Sequence, residues 1–424
     1  MGYVNDPIRP ELRRITPYNS GLTLGEVRQK YHVNTIAKLG SNENPLGPTV
    51  KIFDIANELA DLSRLYPDPQ GRQLCARLAV MHGVKPEQII LGNGSEDLIA
   101  IICRSVVRPG DNVVTLYPSF PLHEDYTVLM GGNVTRVRVR DDLEVDLPAL
   151  LSATSAAPRM VMFSNPMNPV GTWLTPVDMQ SLLAKHTADT VLVVDEAYAE
   201  YADGPDYPDA VRALRAHSNA NWVVLRTFSK AYGLAGLRIG YGIVGDATLC
   251  DFFHRARTPF NTNAIAQAAA MMALDDTDHL RKSVKLALNE RSRVEARLRE
   301  LGFWVARSKG NFLFFDVKQD AAAASERLLK EGVIVKPWKQ DGFQAFMRVS
   351  IGHVRENEQF LAAIEKLAPA AWSGGKLALV AAGSGGIVKK QVHKGHGVSQ
   401  WNCLTDKPFM PRENSASFSF QTRS

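Results

Sequence analysis

The sequence predicts an α/β protein: a mostly parallel β-sheet covered by helices, followed by a smaller α+β domain. Two observations carry this reading. Between residues 87 and 244 short apolar runs alternate with helical patterns, and the runs are apolar at successive positions, as strands buried on both faces must be. Near Pro259 that alternation stops. A stretch rich in Ala, Leu, Arg and Glu (263–301) reads as long helix, and four strand-like runs then surround another helical pattern.

Taken in order, residues 1–40 hold too little apolar content for a core of their own and read as an arm packed across the rest. Residues 41–258 carry the strand runs QIILG (88–92), DNVVTLY (111–117), RMVMFS (159–164), TVLVVDEAY (190–198), NWVVLRTFS (221–229) and LRIGYGIV (237–244). Residues 259–367 form the smaller domain, with strands in FWVARS (303–308), NFLFFDV (311–317), GVIVKPW (332–338) and FMRVSIG (346–352). Residues 368–424 are dense in Gly, Ser and Lys without a sustained period and read as a flexible tail.

Composition narrows the function classes. Of 424 residues, 45% are hydrophobic and 22% charged, as in ordinary globular proteins. The formal charge of +5 resides in the 368–424 tail, which has seven Lys/Arg against two Asp/Glu; the balanced body offers no footprint for nucleic acid. Cys75, Cys103, Cys250 and Cys403 are scattered, with neither metal-site spacing nor disulfide density, so no metal is expected. The polar opening MGYVNDPIRPELRR and the lack of an apolar run near ~18 residues point to a cytoplasmic protein without membrane attachment.

The polar residues that carry chemistry fall where predicted strands end, which is where ligands bind in such sheets. Lys230, in RTFSKAYGLAGLRIGYG (226–242), follows a strand with Ser229 beside it and Arg238 eight residues on. A lysine there can hold an aldehyde cofactor as a Schiff base while serine and arginine grip a phosphate, the chemistry of pyridoxal 5′-phosphate (PLP). Asp195 ends a strand, where a carboxylate can keep the pyridine nitrogen protonated, and Tyr198 can reach the phenolic oxygen. In SNPMNPVGT (164–172) two Asn-Pro pairs and Gly171 fix a turn that can aim the Asn168 amide at the same oxygen. In GNGSED (92–97) the N–H groups of Gly94, Ser95 and Glu96 open a helix and suit a phosphate. Phe120 can stack on a planar ring, and Arg348 can clamp a carboxylate. Singly, each has an ordinary reading: solvated lysine, turn-capping Asp, Asn-Pro loop, core aromatic or solvated arginine.

Together these segments, with SNENPLGP (41–48), YPDP (66–69), NFLFF and MRVSIG, resemble in order the fold-type I aminotransferases, most nearly the histidinol-phosphate aminotransferase family, over roughly residues 15–367. The resemblance implies the PLP-dependent transferase fold with a seven-stranded-type central sheet. It makes Lys230 the Schiff-base lysine and proton shuttle, Asp195 the partner of the pyridine nitrogen, and Asn168 and Tyr198 the contacts of its phenolic oxygen. Phe120 takes the stacking position, and Ser95, Ser229 and Arg238 the phosphate. Tyr66 would reach that phosphate from a neighbouring subunit, which implies a homodimer. Arg348 would anchor the glutamate carboxylate or the substrate phosphate, with Tyr18 closing the site.

The implied reaction moves the amino group of L-glutamate to imidazole-acetol phosphate, giving L-histidinol phosphate in histidine biosynthesis. Two departures stand out, and the second bears on substrate choice. The usual NPNNPTG is here NPMNPVG, and Lys336 stands where the family usually has an arginine. A lysine is a point charge rather than a planar fork, and nearby Trp338 can favour a flat ring. An aromatic aminotransferase is therefore the first alternative, followed by a threonine-phosphate decarboxylase, which the resemblance also permits, and then a non-catalytic ligand sensor.

Overall fold

The computed structural model describes residues 8–17, 21–202 and 204–368. Tyr18 and most of the sequence-defined tail (369–424) lie outside them. The described strands are β1 (Ala37–Lys38), β2 (Ile89–Gly92), β3 (Asn112–Tyr117), β4 (Asn133–Arg138), β5 (Met160–Ser164), β6 (Val191–Asp195), β7 (Trp222–Thr227), β8 (Gly240–Val244), β9 (Trp304–Val305), β10 (Phe312–Asp316), β11 (Val333–Ile334), β12 (Lys336–Pro337) and β13 (Phe346–Ser350).

Seven of them form one sheet in the order β2-β8-β7-β6-β5-β3-β4. It is parallel except for β8, which runs antiparallel to both β2 and β7. Strands β2, β5, β6 and β8 are buried at every position, which is why β2, β5 and β6 open on unbroken runs of Val, Ile, Leu and Met. Separate apolar clusters fill the two faces, one containing Val161, Phe163, Leu192 and Val194, the other Met160, Met162, Val191 and Val193. Successive residues of β5 and β6 thus pack to opposite sides, as the period of two requires.

Strand β4 has no counterpart among the runs read from sequence. It is the sheet edge, and only Val137 in NVTRVR is buried, so it lacks the apolar signature of its neighbours.

A second sheet, β12-β13-β10-β9, is antiparallel. Its core is a distinct cluster that includes Leu313, Phe315, Met347, Val349 and Phe360. GVIVKPW divides: β11 pairs in parallel with β1, and β12 pairs with β13. Ala37 and Leu39, at the end of the segment read as an arm, are buried in this same cluster.

The 263–301 stretch is two helices, Ala264–Leu274 and Thr277–Glu300. Asp276 separates them because its carboxylate accepts from His279 N–H and starts the second helix. Among the described residues no helix is long and apolar enough to cross a membrane.

Candidate active site

A cavity of about 350 Å³ opens at the carboxyl edge of the central sheet, lined among others by Ser41, Ser95, Phe120, Asn168, Asp195, Tyr198, Ser229, Lys230 and Arg238. Adjacent strands deliver the key groups. Ser164 and Asp195 are register partners at the ends of β5 and β6, so the turn after β5 brings Asn168 beside the corner after β6. Strand β7 ends three residues before Lys230. A wider hollow of about 720 Å³ adjoins the cavity and shares Glu96 and Arg238 with it, but none of the other residues just named.

Lys230 Nζ donates to the carbonyl of Ser41 at 2.9 Å and lies 5.9 Å from the centre of the Tyr198 ring. Burial draws its pKa down to about 8, with Arg348 and Arg238 adding to the depression while Glu43 and Asp195 oppose it. A fraction of the amine is therefore neutral near pH 7, which a nucleophile or base requires.

Asp195 is buried, accepts from the N–H of Ala197 at 3.2 Å, and pairs with His123 Nε2 at 3.2 Å. His123 is a residue that sequence reasoning missed. It is buried on the helix Pro121–Leu129, edge-on to Phe120, with ring centres 5.7 Å apart. Its one signal in the sequence is its place three residues after Phe120, in the first turn of the following helix.

Tyr198 Oη accepts from Asn168 Nδ2 at 3.3 Å and from Asn42 Nδ2 at 3.0 Å. Asn168 Oδ1 in turn accepts from Arg348 Nη1 at 2.6 Å, and Arg348 Nη2 donates to Gly40 O at 2.7 Å. One arginine on β13 thus touches both the Asn168 turn and the segment that ends the N-terminal region. Lys336 is the cross-strand partner of Arg348. Burial first, and then the like charges of Arg348 and Lys339, lower its pKa to about 8. Trp338 is buried edge-on to Phe314 at 5.9 Å, with Nε1 donating to Gln340.

The phosphate-type end of the cavity is the N-terminus of the helix Ser95–Val106, which no side chain caps. Gly94 there has φ +81, and a Cβ on it would sit 2.5 Å from Arg238 Nη2. A Cβ on Gly240 would meet Ser95 N at 2.7 Å. Only glycine at both places lets the arginine and the strand close on the uncapped N–H groups, which makes a cradle for an anion.

Tyr66 stands apart from the cavity, 83% exposed and stacked on Phe260 at 4.6 Å. The chain therefore brings together Lys230, Asp195, Tyr198, Asn168, Ser95, Glu96, Phe120, Ser229 and Arg238, with Gly94 at the helix end, Arg348 bordering through Asn168, and Lys336 beside Arg348 on the next strand.

Such a lysine, carboxylate and anion cradle at the edge of this sheet defines an enzyme that works through an aldehyde cofactor. Residues 34–364 match the family model for aminotransferase class I and II, and the chain belongs to that family. It is 62% identical over 367 residues to histidinol-phosphate aminotransferase 3 of Rhizobium meliloti (strain 1021), covering 87% of this chain and 99% of that protein. It is 56% identical over 367 residues to histidinol-phosphate aminotransferase 1 of Mesorhizobium japonicum, covering 87% of this chain and all of the other. Among solved structures, the crystal structure of histidinol-phosphate aminotransferase from Sinorhizobium meliloti in complex with pyridoxal-5′-phosphate is similar, with TM-score 0.78 and 28% identity over 86% of this chain and 98% of that one.

Proposed function

We propose that this protein is a PLP-dependent aminotransferase that moves the amino group of L-glutamate to imidazole-acetol phosphate, giving 2-oxoglutarate and L-histidinol phosphate in histidine biosynthesis. The observation that carries the reading is the buried Lys230 amine, with its pKa drawn down to about 8, in one cavity with Asp195, Asn168 and Tyr198. The residues fit the cofactor: the cradle between Gly94 and Arg238 matches a phosphate, and the donor set around Tyr198 matches a phenolic oxygen. Bound PLP supplies an aldehyde for an amine and an electron sink for the pair left when a Cα–H bond breaks.

Each residue then has a chemical task. Asp195, held in place by His123 and the Ala197 N–H, keeps a ring nitrogen protonated by its negative charge. The N–H groups of Gly94, Ser95 and Glu96, the hydroxyls of Ser95 and Ser229, and the Arg238 guanidinium hold the phosphate. Phe120 covers a ring face. Lys230 would be the attachment point for the cofactor aldehyde, and its freed amine would take the substrate Cα proton and deliver it to the carbon on the far side of the substrate nitrogen. Arg348 binds the glutamate carboxylate, its guanidinium already aimed by Asn168 Oδ1 and Gly40 O. Lys336 adds a second positive charge for a phosphate ester.

In this reading the protein is a cytoplasmic homodimer in which Tyr66 reaches the partner's cofactor phosphate. Supporting the pairing, Phe53, Leu65 and Tyr66 are more than half exposed apolar side chains on one short stretch. The free, buried Cys75, Cys103 and Cys250 suit a reducing compartment. Residues 41–258 form the cofactor domain and 259–367 the smaller one, the separate cluster around Leu313 and Met347 supporting the division.

The test is twofold. Borohydride reduction of the loaded protein followed by peptide mapping should place the cofactor mass on Lys230. Steady-state kinetics should favour imidazole-acetol phosphate over phenylpyruvate as amino acceptor, and a large preference for phenylpyruvate would refute the substrate assignment.

A further inference from the structure

Three consecutive residues, where the N-terminal region meets the 41–258 segment, each touch a different member of the active site. Gly40 O accepts from Arg348 Nη2 at 2.7 Å, Ser41 O from Lys230 Nζ at 2.9 Å, and Asn42 Nδ2 donates to Tyr198 Oη at 3.0 Å. The Asn42 bond is shorter than the 3.3 Å bond that Asn168 makes to the same hydroxyl.

Asn42 is held on every side. It is wholly buried at 0% exposure, and its φ of +55 is one that asparagine and glycine tolerate best. Its N–H donates to Ser350 Oγ at 2.7 Å, and its carbonyl accepts from Asn311 Nδ2 at 3.1 Å. Ser350 Oγ donates back to Asn42 Oδ1 at 2.8 Å. In this arrangement the serine donates to the amide oxygen and the NH₂ end faces Tyr198. Ser350 lies two residues beyond Arg348 on β13 and shares its face of the strand.

Tyr198 Oη receives hydrogen bonds from two amides. An oxygen that accepts bonds becomes a stronger donor through its single proton, because the bonds polarise one another. We propose that Asn42, oriented by Ser350, is a positioning residue that strengthens Tyr198 as a donor to the phenolic oxygen of the cofactor. The inference rests on the reading of Tyr198 as a contact of that oxygen. It also gives the chain a physical connection from the strand that carries Arg348 to the group that tunes the cofactor.

The experiment is a pH titration of the visible absorbance of the bound cofactor in the full-length, loaded protein. A donor at the phenolic oxygen stabilises its ionised form, so weakening that donor raises the midpoint. Tyr198→Phe should raise it most. Asn42→Gly, which keeps the backbone angle, should raise it by about half to one pH unit. Ser350→Ala should shift it less, in the same direction, and Ser350→Thr should restore it. The deciding sample is the double variant: with Tyr198→Phe present, Asn42→Gly should produce no further shift, because its action runs through that hydroxyl. An equal shift in both backgrounds would overturn the proposal, as would no shift for Asn42→Gly while Tyr198→Phe moves the midpoint. No shift for Tyr198→Phe would remove the underlying reading first, and the Asn42 assignment with it. Should Asn42→Gly fail to fold, Ser350→Ala in the two backgrounds makes the same comparison.

Discussion

The two sides of the cavity are built differently. On the side proposed for the cofactor, Asn168, Asp195 and Lys230 lie at or just beyond the ends of three neighbouring parallel strands, β5, β6 and β7, each within four residues of its strand end. On the side proposed for the substrate, Arg348 is aimed by Gly40 and Asn168, and Ser350 by Asn42, in contacts that span 308, 180 and 308 positions of the chain. The first side is set by local motifs on a rigid sheet, while the second exists only once the N-terminal segment docks on β13. Variants on the two sides should accordingly fail in different ways.

The sharpest failure belongs to the cofactor side. Lys230→Ala should lower amino transfer by about 10⁴-fold or more and abolish covalent retention of the cofactor, since base and attachment point vanish together. Absorbance and turnover measured on the same sample check both. Next, Arg348→Ala should keep the bound-cofactor spectrum yet lower kcat/KM for L-glutamate by about 100-fold, through loss of a charge-assisted clamp. Loss of the cofactor in that variant would erase the distinction between the sides.

A smaller effect follows from Lys336. Its pKa is lowered to about 8, by burial first and then by Arg348 and Lys339, so the side chain is charged below that pH and neutral above it. Affinity for a phosphate ester should therefore fall as pH rises through about 8, roughly five- to tenfold in kcat/KM for removal of one partly exposed charge. Lys336→Arg should flatten this arm of the profile, because a guanidinium keeps its proton. The smallest effect is expected at Tyr66, which is exposed in the single chain. Tyr66→Phe should leave the melting temperature unchanged and weaken cofactor binding about fivefold, the worth of one hydrogen bond; equilibrium dialysis across protein concentrations measures it.

The same contrast explains what the sequence disclosed. Asp195, Asn168 and Lys230 were legible because each follows an apolar strand within a few residues, so strand-end logic finds them without the fold. His123 was not, because a histidine in the first turn of a helix has no local mark until Asp195 is packed against it. Asn42 stood in SNENPLGP, a segment recognised by resemblance but given no task, and its partners Ser350 and Asn311 are some 300 residues away in the chain. Strand β4 escaped for a related reason: an edge needs only Val137 inside, so burial leaves little trace in NVTRVR.

The most direct test of the account follows the absorbance of the bound cofactor through a single turnover, first with L-glutamate and then with imidazole-acetol phosphate or phenylpyruvate. The account predicts that glutamate removes the resting absorbance and that the phosphate ester restores it much faster than phenylpyruvate does. Faster recovery with phenylpyruvate would contradict the substrate assignment, and a purified protein that shows no cofactor absorbance after incubation with PLP would contradict the chemistry itself.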